Sequence, residues 1–192
     1  CVHWFNHLLF SPDGSRFLFL HRWHPRDKGG IRATRMCTAD PDGSHVRVLH
    51  PGGQFSHFIW RDPDHILAWA ERAEAGRAFY LIHETTGEAE VVGADTMTAD
   101  GHCTYLPGGE WILNDSYPQG ASGRDQPLYL YHPATDRRLD LGPFHSPPAY
   151  TGEWRCDLHP RSSRDGRCIT IDSTHAGNGR QIYLLDIQSV VE

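Results

Sequence analysis

The sequence predicts an all-β protein, a β-propeller built from four-stranded antiparallel blades. Three observations carry this reading. A histidine recurs at near-constant spacing from a turn, apolar runs of strand length flank each turn, and turn formers are abundant. The 192 residues include 19 Gly and 13 Pro, about one residue in six, a composition that marks many tight turns rather than long helices. Self-similarity at a fixed period is how repeat architectures announce themselves in sequence, and units of about 50 residues with four short strands read as propeller blades.

The elements follow in order. The first unit opens with His7-Leu-Leu-Phe-Ser-Pro-Asp-Gly14 and the apolar run Phe17–Leu20. It continues with Arg35–Asp40, the turn Pro-Asp-Gly43 and His45–Leu49. A weaker copy, His57-Phe-Ile-Trp-Arg-Asp-Pro-Asp64, precedes His65-Ile-Leu-Ala-Trp69, and Phe79–His83, Glu-Thr-Thr-Gly87 and Glu88–Val92 complete that unit. The third runs from His102-Cys-Thr-Tyr-Leu-Pro-Gly-Gly109 through Trp111-Ile-Leu113. Its second hairpin is Leu128–His132, Pro-Ala-Thr-Asp136 and Arg138–Leu141. The fourth is His159-Pro-Arg-Ser-Ser-Arg-Asp-Gly166, then Cys168-Ile-Thr-Ile171, then Gln181–Asp186 and a short tail. In the three strong copies the His stands seven residues before the turn glycine, and the four histidines are 50, 45 and 57 residues apart. Each turn carries the Gly, Asp and Pro that hairpin geometry demands. No linker divides the chain, so residues 1–192 read as one propeller domain or the C-terminal portion of one. Four units are fewer than the six or so of many propellers, which points to further blades or to self-association completing a ring.

Composition narrows the function. Hydrophobic residues make up 39% and aromatic ones 11%, too many for a disordered chain. No run of 18 apolar residues is present to cross a membrane as a helix. A net charge of −6 argues against a general nucleic-acid binder, which needs a basic surface. Five scattered Cys without a CxxC pair fit neither a disulfide framework nor a zinc knuckle, and a reducing, cytoplasmic setting is the expectation. Neither a GxSxG elbow nor a P-loop occurs.

In a blade the first strand is innermost, and the loop that enters it shares an end with the loop that leaves the second strand. His7, His57, His102 and His159 are therefore expected around one channel mouth. The exits His21-Arg-Trp-His24, Asn114-Asp-Ser-Tyr-Pro118 and Asp172-Ser-Thr-His175 are expected beside them. Imidazoles converging from separate strands of a rigid scaffold suit a divalent metal, and a mixture with carboxylate or amide oxygen suits manganese, iron or zinc. A histidine bonded within its own blade is the alternative for each one taken singly. The same end is basic: Arg22, Arg26, Lys28, Arg32, Arg72, Arg77, Arg124 and Arg180, with Arg155 and Arg161 flanking His159. Arginines converging on a mouth select an anion, bidentately if it is a carboxylate, so an acidic small molecule or oligomer, an acidic oligosaccharide among them, is the expected partner. Trp23 and Trp154 are candidates to stack on a sugar ring, whereas Trp60, Trp69 and Trp111 occupy strand positions and read as blade packing. Cys103 and Cys156 adjoin the candidate site, and nothing marks either as a nucleophile.

Three stretches, His7–Gly14, Asp100-Gly-His-Cys-Thr-Tyr105 and Asp157-Leu-His-Pro-Arg-Ser-Ser-Arg-Asp-Gly166, together with Ile-Asp-Ser-Thr-His175 and Arg-Gln-Ile-Tyr-Leu-Leu-Asp186, resemble the oligogalacturonate lyases. These are the seven-bladed propeller lyases of pectin degradation. The turn repeats alone are shared with TolB-like and prolyl peptidase propellers, and the His spacing makes the match more specific. The resemblance implies a manganese ion held by three His and one Gln, with a further His as the base. Carried over, His57 stands for the base, His102 for one metal ligand and His159 for a second. Arg161 stands where the family has its third His, and Cys156 where it has Gln. The set is thus completed by His7, Asp157 or His175, or the chain is a relative with another substrate, or the metal is lost. The implied chemistry is β-elimination from a uronate oligomer. His57 would take the proton, and the metal with Arg155 and Arg161 would stabilise the developing charge. Arg22, Trp23, Asp157 and His175 are then the candidate substrate contacts. The alternative is a non-catalytic TolB-like propeller that binds a protein or peptide at the channel mouth.

Overall fold

The computed structural model describes residues 1–24, 26, 33–50, 53–73, 75–119 and 123–191. The protein is an all-β chain of propeller blades, as the repeats predict. It divides into two compact units, Cys1–Ala94 and Asp95–Glu192, with two blades in each. In the first unit, β1 (Val2–Phe10), β2 (Phe17–His24), β3 (Ala33–Ala39) and β4 (Arg47–His50) form one antiparallel sheet in that order. β5 (Phe55–Asp62), β6 (His65–Arg72), β7 (Gly76–His83) and β8 (Ala89–Val92) form the next. In the second unit, β9 (Thr104–Tyr105), β10 (Ile112–Asp115), β11 (Asp125–His132) and β12 (Arg137–His145) make a four-stranded blade. The last blade has three strands, β13 (Arg161–Ser162), β14 (Cys168–Ser173) and β15 (Gln181–Asp186), and the chain turns into the single-turn helix α1 (Gln188–Val191) after them.

The period-2 pattern of each strand sends one side-chain set to each face, and facing blades bury them together. In the first unit Leu18, Leu20 and Met36 of one blade share a core with Trp60, Ile66, Ala68, Tyr80 and Ile82 of the other. Trp60 is only 4% exposed and its indole N–H donates to the Leu9 carbonyl at 3.2 Å, so it is a packing residue, as expected. In the second unit Leu113, Leu128 and Leu130 meet Leu158, Ile169 and Ile171. The opposite faces of the first and last blades are different: Phe5, Phe10, Ile182 and Leu184 are 61%, 59%, 76% and 71% exposed.

The turn that repeats is built the same way at both ends of the chain. In the first copy Asp13 Oδ1 accepts from the Ser11 hydroxyl at 2.6 Å, and the Gly14 N–H closes onto the Ser11 carbonyl at 2.9 Å. In the last, Asp165 Oδ1 accepts from the Ser163 hydroxyl at 2.6 Å, and the Gly166 N–H closes onto Ser163 at 3.1 Å. Gly14 and Gly166 both lie at positive φ, 72° and 73°. The histidines seven residues earlier are also equivalent in backbone: His7 and His159 are left-handed, at φ 55° and 44°. A β-carbon makes that region costly, although His is among the residues that tolerate it best. The structure corrects one detail. His7 and His57 sit inside β1 and β5 rather than ahead of them, His7 in a bulge between Asn6 and Leu9, whereas His102 and His159 do precede their strands.

Two buried devices hold the blades. Arg16, 8% exposed, donates from Nε to Glu84 Oε1 at 2.8 Å and from Nη2 to the Thr38 hydroxyl at 2.8 Å. Arg47 pairs with the other Glu84 oxygen, so one carboxylate ties the two blades of the first unit. Burial on its own would raise the Glu84 carboxyl. The Thr38 hydrogen bond and the charges of Arg16 and Arg47 outweigh it and hold the group below its ordinary value of 4.5. In the second unit the backbone at Gly101 runs against β10 so closely that a β-carbon there would lie 1.8 Å from the Asp115 carbonyl oxygen.

Glu84→Ala removes the carboxylate shared by Arg16 and Arg47 while the buried Arg16 guanidinium stays paired with Asp40, and equilibrium denaturation is expected to show a loss of about 1–3 kcal/mol. A depressed carboxyl stabilises above its unfolded pKa and loses that contribution as pH falls through the folded value. The acid limb of the stability curve is therefore expected to flatten below about pH 4.5 in Glu84→Gln. Gly101→Ala must displace backbone, and its melting midpoint is expected to fall by several degrees, in line with the cost of overpacking.

Candidate functional site

The second unit brings three potential metal ligands together. His102, Asp157 and His159 each offer one donor atom, and those atoms lie within 4.8 Å of one another. The two imidazole centroids are 4.2 Å apart. His102 comes from the segment that precedes β9, held against β10 by the close approach at Gly101. Asp157 and His159 come from the segment that precedes β13, on either side of the fully buried Leu158, and both offer a donor atom to the cluster. Asp157 is buried at 8% exposure while Leu158 is fully buried.

A carboxylate organises the pair. Asp115, the last residue of β10, is 1% exposed. Its Oδ1 accepts from the His102 backbone N–H at 2.5 Å, and its two oxygens lie 3.1 and 3.0 Å from His102 Nδ1. Its Oδ2 also accepts from the His159 backbone N–H at 3.2 Å. Burial and the neighbouring His102 ring lower the pKa of His159 against the opposing charges of Asp157, Asp115 and Asp172, which favours the neutral imidazole that can ligate a metal.

Around this core lies a margin that carries Arg155, Arg180 and Tyr117. Arg155 donates from Nε to Asp157 Oδ2 at 3.0 Å, and its guanidinium sits over the Tyr117 ring at 4.7 Å. Burial, with Asp100 and Asp157 nearby, pushes the Tyr117 hydroxyl up to about 12, so it stays a hydrogen-bond donor. A cavity of about 570 Å³ opens beside His159 and is lined also by Arg155, Asp157, Asp172, Arg180 and Gln181. Arg180 donates to the backbone carbonyls of Trp154 and Arg155, fixing the segment that carries Arg155. Burial raises the thiols of Cys103 and Cys156, which makes both poor nucleophiles.

The other predicted site residues fall as follows. His7 and His57 lie in the first unit with ring centroids 6.5 Å apart, and His57 Nδ1 is 3.0 Å from the Ser56 hydroxyl. Arg22 donates to the Phe55 carbonyl at 3.4 Å. Trp23 is a β2 residue, not a loop residue, with Arg35 over its ring at 5.0 Å. Arg161 is exposed and donates to the Pro160 carbonyl at 2.8 Å. His175 packs on Tyr183 at 4.3 Å and contacts the Ser173 hydroxyl through Nδ1. Of the remaining basic residues, Arg72 reaches the Gly87 carbonyl, Arg77 pairs with Glu71 and Arg124 binds the carbonyls of Ser146 and Pro147. Lys28 and Arg32 lie outside the described residues. Sequence reasoning offered Asp157 both as a substrate contact and as one of three residues to complete the ligand set, and missed the role of Asp115. The available signal was an acid closing the apolar run Trp111–Leu113, where a strand buried on both faces has no ordinary use for a charge.

No family model matches the chain, and no curated protein does. Its likeness to solved structures is one of fold. A puromycin hydrolase superposes with a TM-score of 0.63 at 16% identity, over 97% of this chain and 27% of that one. A putative TolB from Agrobacterium tumefaciens gives 0.57 at 16% identity, over 93% of this chain and 60% of that one. The β-propeller domain of the Trilobed protease from Pyrococcus furiosus gives 0.55 at 11% identity, over 95% and 55%. The chain thus spans less than two thirds of each of these relatives, and what it shares with them is the propeller.

Proposed function

We propose that this chain is part of a TolB-like recognition propeller that captures a carboxylate-bearing protein or peptide segment, using a divalent metal centre on its last two blades. The observation that carries this reading is the convergence of His102, Asp157 and His159 within 4.8 Å beside a cavity lined by Arg155 and Arg180. The residues fit a metal. Two imidazoles and a carboxylate are the donor set that borderline divalent ions such as manganese, iron or zinc accept. Asp157 Oδ1 is buried, lies 2.8 Å from Arg155 Nε and accepts no hydrogen bond. Once bound, such an ion supplies a Lewis acid for a carboxylate, and the arginines supply directional donors for the same group. The likeness to TolB and to peptidase propellers supports the recognition role, since in a peptidase a propeller without a nucleophile elbow is not the hydrolytic part. The exposed faces at Phe5, Phe10, Ile182 and Leu184 support a larger assembly, in which further blades or another copy cover them.

The second reading keeps the same centre and makes it a lyase of uronate oligomers. It is favoured by the position of Arg155 against a buried carboxylate and a neutral imidazole, since elimination needs the uronate carboxylate neutralised.

Titration calorimetry with Mn²⁺ and Zn²⁺ is expected to give about one site per chain, with affinity reduced at least tenfold in His102→Ala and in His159→Ala and unchanged in His7→Ala. Absorbance of unsaturated uronate separates the two readings. The recognition role predicts no product from oligogalacturonate, together with salt-sensitive binding of acidic peptides that Arg155→Ala weakens. The lyase reading predicts unsaturated product that is lost together with the metal in His102→Ala and in His159→Ala.

A further inference from the structure

We propose that Asp115 is the positioning residue of this centre. Its single carboxylate sets the tautomer of His102 and, through the His159 amide, anchors the segment that presents the second imidazole. The inference rests on the metal reading above and deepens it.

An ionised carboxylate accepts hydrogen bonds and donates none. With Asp115 Oδ1 and Oδ2 3.1 and 3.0 Å from His102 Nδ1, the ring proton belongs on Nδ1. The lone pair then belongs on Nε2, the atom farther from Asp115. This is the tautomer a metal needs there, and the carboxylate partner also raises the basicity of the ligand. At 1% exposure little water competes for the carboxylate, so the preference is not diluted by solvent.

The same group acts on the other ligand by a different route. His159 sits at φ 44°, a conformation that a residue with a β-carbon holds only when its surroundings impose it. Its backbone N–H donates to Asp115 Oδ2 at 3.2 Å, while the His102 N–H donates to Oδ1 at 2.5 Å. The two oxygens therefore divide between the two ligand segments, which belong to different blades. Asparagine retains one acceptor oxygen and turns an NH₂ toward one of the two amides. It cannot hold both segments at once.

The experiment uses the whole chain, uniformly labelled with ¹⁵N. In metal-free wild-type protein, long-range ¹H–¹⁵N correlation is expected to show His102 as the Nδ1–H tautomer. In Asp115→Asn that population is expected to mix with the Nε2–H form. Calorimetry on the same variant should show Mn²⁺ and Zn²⁺ affinity about 10–100-fold weaker, and Asp115→Glu should recover part of it. A purely structural role would lower the melting midpoint without moving the tautomer, so circular dichroism and the midpoint are recorded in parallel. An Nε2–H tautomer in the wild type overturns the proposal, as does Asp115→Asn binding metal with wild-type affinity. Should the wild type bind neither ion, the metal reading fails, and the wild-type tautomer, which needs neither metal nor variant, still decides whether Asp115 sets His102.

Discussion

A four-stranded sheet of short strands has two faces and cannot bury either by itself, and everything else in this structure follows from that constraint. Each unit answers it by stacking two blades. Leu18, Leu20 and Met36 fill one side of the first interface, and Trp60, Ile66, Ala68 and Tyr80 fill the other. In the second unit Leu113, Leu128 and Leu130 meet Leu158, Ile169 and Ile171. Because packed interiors tolerate little change in volume, blades joined in this way hold their strand ends in fixed relation. The polar groups at those ends inherit that precision.

Polar groups are then placed where the stacking brings chain segments from two blades together, and two carboxylates bridge those segments. Glu84 gathers Arg16, Arg47 and the Thr38 hydroxyl in the first unit. Asp115 gathers the His102 and His159 amides in the second. The two carboxylates share one logic, a buried acceptor bridging neighbouring blades, and differ in what they accept from. Glu84 is surrounded by guanidinium groups and only ties the sheets. Asp115 faces an imidazole and two amides, so the bridge also orients groups capable of chemistry. Next to it, the pairing of Arg155 with Asp157 and the stacking of Arg155 on Tyr117 put positive charge at the edge of the cavity without leaving it unpartnered.

The repeat itself supplies strained positions. His7 and His159 occupy the same place relative to their turn glycines and share a left-handed backbone, and among the described residues the cluster of two imidazoles and a carboxylate forms at His159. In the first unit the equivalent neighbourhood of His7 holds His57 and Phe58. A repeated backbone device therefore carries a ligand-like cluster in one unit and an aromatic contact in the other. The side chains contributed by the neighbouring blade make that difference.

The sequence by itself determined the strands, the turns and their order. Alternation of apolar residues over four to eight positions, punctuated by Gly, Asp and Pro, depends only on near neighbours. For that reason β15 begins and ends where the pattern Gln181–Asp186 does. It also singled out His102 and His159, because a histidine at constant distance from a turn is a local signal. What only the tertiary structure decided was which groups meet. Asp115 and His159 are 44 positions apart, and nothing in the local pattern of either records the other. Nor does local pattern tell that Asp157 turns toward the imidazoles while Arg22 and Trp23 are held within their own unit. Those outcomes depend on the stacking of one blade on the next, a long-range packing that periodicity implies in kind but does not specify atom by atom.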